Sequence, residues 1–383
     1  MKLFMNEKKT LLIQAVSKNP WIGGIYYRKN IIFSLLQNEK FKNHFNVILL
    51  IDANYEKDFA DFHEEIKLQI CNSLNILYVS AKLFFCIMKY RVKFIFPFIN
   101  LKFLKYMKIT PISWIYDFQH LYYPTYFSEK EIRRRNLLFS KIANDNNPLI
   151  VSSNCAKNDL LNYFNPSRQK LYVVHFISYI ENELNKLTLS REGEILQKYG
   201  IEANRYICIS NQFWQHKNHK AVFEAIRIMS RKKYEFPLFV FTGVLSDRRN
   251  ASYIKELEII MEDELVKPHI KVLGFIEREE QLAIIKNALF LIQPSLFEGW
   301  GTFLEEAKVM DKWVILSDIP VHKEQMSSKC ILYNAESSED LSLKIIGYLT
   351  SDYETLSSLN IEKMRRDALA YSHDFMHLLT DED

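Results

Sequence analysis

Glycine and proline are scarce in this sequence, nine and ten among 383 residues, and no segment is low-complexity or internally repeated. That excludes collagen-like, linker-like and solenoid classes. Cysteine is also sparse. Cys71, Cys86, Cys155, Cys208 and Cys330 are odd in number, scattered and never spaced C-x-x-C. They read as free thiols in a reducing cytoplasm, with neither a disulfide framework nor a zinc site. No run of about 18 apolar residues occurs, which argues against a membrane span. The start, MKLFMNEKKTLLIQAVSKNP, lacks a small-residue cleavage site and is a poor signal peptide.

Acidic residues are missing from one long stretch. Between Glu65 and Asp117 there is none, while KLFFCIMKYRVKFIFPFINLKFLKYMK (82–108) mixes Lys and Arg with Phe and Tyr. Ordinary core packing would explain the Phe residues but not the missing acids. A basic, aromatic, apolar segment suits a protein resting on an anionic leaflet without crossing it, so peripheral docking through residues 82–108 is expected. The asymmetry extends to the halves of the chain. Residues 1–178 hold 25 Lys and Arg against 13 Asp and Glu, and the remainder 25 against 33. No nucleic-acid partner is expected.

What is present is a repeating rhythm. TLLIQAV, NVILLID, ITPISWIYD, NPLIVSS and KLYVVHF are short apolar runs separated by helix-like segments; RYICIS, PLFVFTG, HIKVLGF, NALFLIQPS and KWVILSD repeat the pattern after a polar break at 178–190. Alternating near-continuous apolar strands and helices predict an α/β fold of two doubly wound, parallel-sheet, Rossmann-like domains. The boundaries read as 1–178, 186–362 and a helical segment 363–383. In such sheets ligands bind beyond the carboxyl ends of the strands.

The loop after LFLIQPS reads LFEGWG and leads into the helix-like TFLEEAKVM. Thr302 with Glu305 three residues on predicts a capping box, making Glu305 structural. Glu298 and Glu306 are left for other work. Gly299 and Gly301 allow close approach of backbone to a ligand, and a helix N-terminus offers unpaired N–H groups to an anion. A nucleoside diphosphate fits this pattern. His216 and His219 have no third ligand in view and read as packing, and the terminal DED (381–383) reads as a solvated tail.

The Glu-x7-Glu of 298 and 306 around GWG resembles the signature of retaining GT-B glycosyltransferases, in particular the large family 4. EAKVMDKWVILSDIPVHKEQ (306–325), SNQFWQHKNHKAVFEAI (210–226), WIYDFQHLYYPTYFSEKEIRRRNLLF (114–139) and NPWIGGIYYRKN (19–30) resemble further segments of bacterial surface-polysaccharide members, in the same order along nearly the whole chain. The resemblance implies a GT-B fold with a cleft between the domains and a C-terminal helix crossing back to the first. By this resemblance Glu298 contacts the donor sugar, Glu306 the ribose, and Lys217 the diphosphate. The partner cation falls on Asn211, so one positive charge of that pair is missing. His120 corresponds to a histidine near the donor sugar, Gly23 and Gly24 to a loop near the phosphates and acceptor, and Gly274, Phe275 and Ile276 to the nucleobase segment. Gly299, Trp300, Gly301, Thr302 and Phe303 complete the expected donor site.

The implied chemistry is metal-independent transfer of a hexose, with retention, from a UDP-, GDP- or dTDP-linked sugar to a saccharide or lipid-linked saccharide at the inner face of the cytoplasmic membrane. No cofactor is expected. Lys217 and the helix end would stabilise the departing diphosphate, the leaving phosphate would act as base, and Glu298 is not assigned as a nucleophile despite the two-carboxylate precedent in glycosidases. Two alternatives stay open: a non-catalytic protein of this fold, hinted at by Asn211, and a sugar-nucleotide 2-epimerase.

Overall fold

The computed structural model describes residues 8–16, 22–72, 75–97, 107–166, 170–353 and 358–380. Residues 17–21 of the glycine loop, 98–106 of the basic segment and the tail at 381–383 lie outside these. The chain divides into two compact units, one of residues 1–118, 133–179 and 362–383, the other of 119–132 and 180–361.

In the first unit, strands β1 (Lys9–Ala15), β2 (Phe45–Asp52), β3 (Lys67–Cys71), β4 (Val92–Phe96) and β5 (Thr110–Pro111) form a parallel sheet in the order β3-β2-β1-β4-β5. After β5 the chain changes sheet at Ile112, whose N–H donates to the Ile95 carbonyl. It continues as β6 (Ser113–Ile115) beside β7 (Leu149–Val151) and β8 (Leu171–Val173). Leu12, Ile48, Leu50 and Ile95 form a core with Val79, Leu83, Cys86 and Ile87 of helix Ile76–Tyr90. Each fully buried aliphatic side chain of this kind contributes about 1.5–3 kcal/mol. Strand β3 escapes the hydrophobic rhythm because it is an edge strand with only Cys71 fully covered.

The helix Ile361–Thr380 packs on this first unit. Asn38 Nδ2 donates to Ser372 Oγ at 2.9 Å, and Phe375 meets Phe96 edge-on at 5.4 Å. Asn38 also caps the short helix Glu39–His44 by accepting from Phe41 N–H, so one side chain ties two helices.

The second unit holds β9 (Tyr206–Ser210), β10 (Leu238–Thr242), β11 (Ile270–Val272), β12 (Phe290–Gln293), β13 (Val314–Ser317) and β14 (Cys330–Tyr333), parallel and ordered β11-β10-β9-β12-β13-β14. Five of these follow the apolar runs; β14, on the edge, was not predicted. The order reverses between β9 and β12. In a doubly wound sheet the carboxyl ends of the strands at such a reversal are where ligands bind. The loop after β9 carries Asn211–Lys217 and the loop after β12 carries Leu296–Gly301.

Candidate donor site

The two loops are tied by backbone and by charge. Leu296 N–H donates to the His216 carbonyl at 2.8 Å, and the 3-10 turn Gln215–Lys217 is held from the other side by Asp247, which accepts from Gln215 N–H at 3.0 Å. Asn218 closes the turn at φ +54° and starts helix His219–Arg231. This places Lys217 Nζ 2.6 Å from Glu298 Oε1, with side-chain exposures of 15% and 9%.

The same oxygen of Glu298 also accepts from Gln293 Nε2 at 2.8 Å and Ser295 Oγ at 2.7 Å. Burial by itself would raise this carboxyl's pKa; the adjoining Lys217 ammonium outweighs it, and the value falls to about 2. Glu298 is therefore a carboxylate at neutral pH, an acceptor for hydroxyl donors. The histidines nearby are neutral. Burial, reinforced by Lys217, lowers His216 and His219 to about 3, and burial lowers His322 to about 4. His219 stacks on Phe213 at 4.1 Å, a packing role. Among the described residues no group of three or more His, Cys, Asp or Glu could hold a metal ion.

Asn211 belongs to the same network. Its Nδ2 donates to Gln293 Oε1 at 2.8 Å, so a neutral amide links β9 through Gln293 to Glu298. The backbone here leaves no room for change: a Cβ on Gly243, which sits at φ +120°, would lie 2.2 Å from the Asn211 carbonyl oxygen. Gly243 N–H donates to the Gly274 carbonyl at 2.8 Å, so the loops after β9, β10 and β11 are joined side by side. Gly274 is itself at φ +71°, Phe275 is 66% exposed and Ile276 is partly buried. An exposed aromatic ring at a loop tip is available for stacking.

Glu306 lies in the helix Thr302–Val309 and is buried. Its Oε1 accepts from Arg278 Nη2 at 2.6 Å, while Arg278 Nη1 donates to Gln281 and Gln281 Nε2 to Ser210 Oγ. Arg278 went unnoticed in the sequence because nothing in its spacing relates it to Glu306, 28 residues away. Gln293 and Ser295 had a signal: two polar residues at the end of an otherwise apolar strand.

The expected capping box does not form. Gly301 is the N-cap and Thr302 the first helical residue, with no side-chain cap. Gln325 takes over: its Oε1 accepts from Gly301 N–H, and its Nε2 donates to the Gly301 carbonyl and to Glu305 Oε1. Glu305 is structural, as expected, but through Gln325 and Lys308. Gly299 and Trp300 are partly exposed in the loop, and Phe303 is buried in the helix.

Two expected residue groups lie elsewhere. Gly23 and Gly24 occupy the first turn of helix Ile22–Leu36 in the first unit, where a loop was expected; the helix simply starts earlier than the glycines suggested. His120 is buried in the short helix Gln119–Tyr122, edge-on to Phe127. Its segment belongs to the second unit: Tyr123 Oη donates to the Leu296 carbonyl, and Arg249, over the Phe127 ring at 5.2 Å, donates to Gln119.

The family model for "Glycosyl transferases group 1" matches residues 192–366, which span this whole network from Asn211 to Gln325. The chain belongs to the group 1 glycosyl transferases. It is 24% identical over 225 residues to the O-antigen chain mannosyltransferase RfbU of Salmonella typhimurium, a match covering 59% of this chain and 57% of that protein. In fold it is similar to a glycosyltransferase from Rickettsia africae (TM-score 0.64, 17% identity, 98% of this chain and 97% of that one). It is also similar to Anabaena HepE in complex with UDP and glucose (0.64, 14%, 97% and 96%). A sucrose-phosphate synthase from Thermosynechococcus elongatus superposes at 0.69 with 13% identity over 98% and 99%. These identities speak to the GT-B fold alone. No helix among the described residues of this group 1 chain is long and apolar enough to cross a membrane.

Proposed function

We propose that this group 1 glycosyl transferase moves a hexosyl group, with retention and without a metal, from a nucleoside diphosphate sugar to a hydroxyl of a saccharide or lipid-linked saccharide in bacterial surface-polysaccharide synthesis. The observation that carries the reading is the Lys217–Glu298 pair at the switch point of the second sheet. Breaking a glycosyl phosphate bond leaves negative charge on the diphosphate and positive charge on the sugar. A lysine and a carboxylate ionised at neutral pH, held side by side in low dielectric, suit the two ends of that bond. Lys217 serves the phosphates and Glu298 accepts from sugar hydroxyls. Glu306, with Arg278 against it, serves the ribose; Gly274, Phe275 and Ile276 the base; and Gly299 to Phe303 the phosphate backbone. His120 serves the donor sugar, while Gly23 and Gly24 serve the acceptor and phosphates. Both HepE, crystallised with UDP-glucose, and RfbU, an O-antigen mannosyltransferase, agree with this substrate class.

Work at the inner face of the cytoplasmic membrane, expected through residues 82–108, is supported by helix Ile76–Tyr90 but not by Val92–Phe96, which is the buried strand β4 and faces no lipid. The helix exposes Leu77, Tyr78, Phe84, Phe85 and Met88, with Lys82 and Lys89 over the Phe85 ring. An acid-free, basic helix with an apolar face fits an anionic leaflet. One observation favours a non-catalytic protein instead: Asn211 is an amide committed to Gln293 where the resemblance expects a cation.

The test is the thermal shift of the purified protein with UDP, GDP, dTDP and CMP beside Glu306→Ala. A rise with one diphosphate, lost in the variant, names the nucleotide and its ribose contact. No rise with any of them overturns the transferase reading.

A further inference from the structure

Arg28 stands apart from the other partly buried arginines described. Arg135, Arg191, Arg227, Arg249 and Arg278 each lean on a carboxylate: Asp117, Glu279, Asp263, Asp247 and Glu306 in turn. The neighbouring Lys29 reaches Asp61 at 3.8 Å. Among the described residues no Asp or Glu pairs with Arg28. Its guanidinium lies back along helix Ile22–Leu36, where Nη1 donates to the Gly24 carbonyl at 2.6 Å, and Nε is shielded from solvent without an acceptor. The Cζ atom sits 5.7 Å from the centroid of Trp114, which stacks on Tyr27 at 4.1 Å and donates to Ser152 Oγ. Burial lowers the Arg28 pKa to about 10, and burial raises that of the Tyr27 phenol, so the adjacent ring supplies no anion at neutral pH.

A cation withdrawn from water without a counter-charge is a standing cost to the fold. An aromatic platform offsets only part of it. Arginine's planar fork of N–H donors is matched by phosphoryl oxygens, and most of the fork is unused here.

We infer that Arg28 binds a phosphoryl group brought to the Gly23-Gly24 turn of the first unit, with Trp114 fixing the plane of the guanidinium. This rests on the reading that the protein handles phosphorylated sugar substrates. The phosphoryl group has two sources: the diphosphate of the donor, or a phosphate on the acceptor.

The test compares wild type, Arg28→Met and Arg28→Lys in binding UDP, GDP and dTDP, uridine as a phosphate-free control, and decyl phosphate as a lipid phosphate probe. Methionine keeps the packing over Trp114 and removes the charge, so the ligand-free variant melts no lower than wild type. A tenfold or greater loss of diphosphate affinity in Arg28→Met, partly restored in Arg28→Lys, identifies the donor as the source. The same loss for decyl phosphate alone identifies the acceptor. Affinities matching wild type for every probe overturn the inference and leave the transferase reading standing, and a lower melting temperature with unchanged affinities makes Arg28 a packing residue. If wild type binds none of the nucleotides and no decyl phosphate, the transferase reading fails first and the inference with it.

Discussion

Removing Lys217 while keeping its bulk, as Lys217→Met, leaves the Glu298 carboxyl only 9% exposed with no cation beside it, to be held as a stranded charge or protonated at a cost. Breaking a buried pair from one side costs about 3–5 kcal/mol. Two donors, Gln293 Nε2 and Ser295 Oγ, stay within 2.8 Å of the same oxygen and soften the loss, so the lower end applies, about 3 kcal/mol. A second change, Glu298→Gln, removes the stranded charge and keeps an amide oxygen for both donors. The double variant is expected to recover about 2 kcal/mol of the loss. Urea unfolding at pH 7.5 followed by tryptophan fluorescence measures this, since Trp214, Trp300 and Trp313 all lie in the second unit. A cost under about 1 kcal/mol for Lys217→Met, the range of exposed ion pairs, would refute the buried, preorganised pair on which the proposed chemistry depends.

The neutral histidines give a second test. His216, His219 and His322 take up protons only near pH 3–4 when folded, whereas unfolded histidine does so near pH 6.5. The unfolded state thus binds more protons below pH 6.5, and stability falls as pH falls, by about 1.4 kcal/mol per histidine between pH 7.5 and 5.5. His219→Phe, which keeps the stack on Phe213, should flatten the profile by about a third; a flat wild-type profile over this interval would contradict the buried neutral histidines. At the surface, Phe84→Ser with Phe85→Ser and Met88→Ser should weaken binding to phosphatidylglycerol vesicles tenfold or more while leaving the melting temperature near wild type. Equal binding by the triple variant would remove helix Ile76–Tyr90 as the docking face.

The sequence by itself determined the class of fold. Short, near-continuous apolar runs commit segments such as RYICIS and NALFLIQPS to buried parallel strands, because runs this short, bounded by polar and turn residues, are too short for a buried helix but span a strand covered on both faces. It also marked Glu298 and Glu306, since a glycine-rich loop between a strand and a helix is a local arrangement, whereas Lys217, in a loop without glycine, was marked only by the family resemblance of its segment. Tertiary structure decided everything that depends on distance across the chain. Edge strands β3 and β14 escaped notice because half-covered strands carry weak apolar patterns. Thr302 and Glu305 formed a plausible local cap, yet Gln325, 24 residues beyond Gly301, satisfies that backbone with better placed atoms. Arg278 on Glu306, Gln293 between Asn211 and Glu298, and the missing counter-charge of Arg28 are facts about pairs of distant residues. Hydrogen bonds and ion pairs act over a few ångströms, and only the folded sheet brings these groups that close.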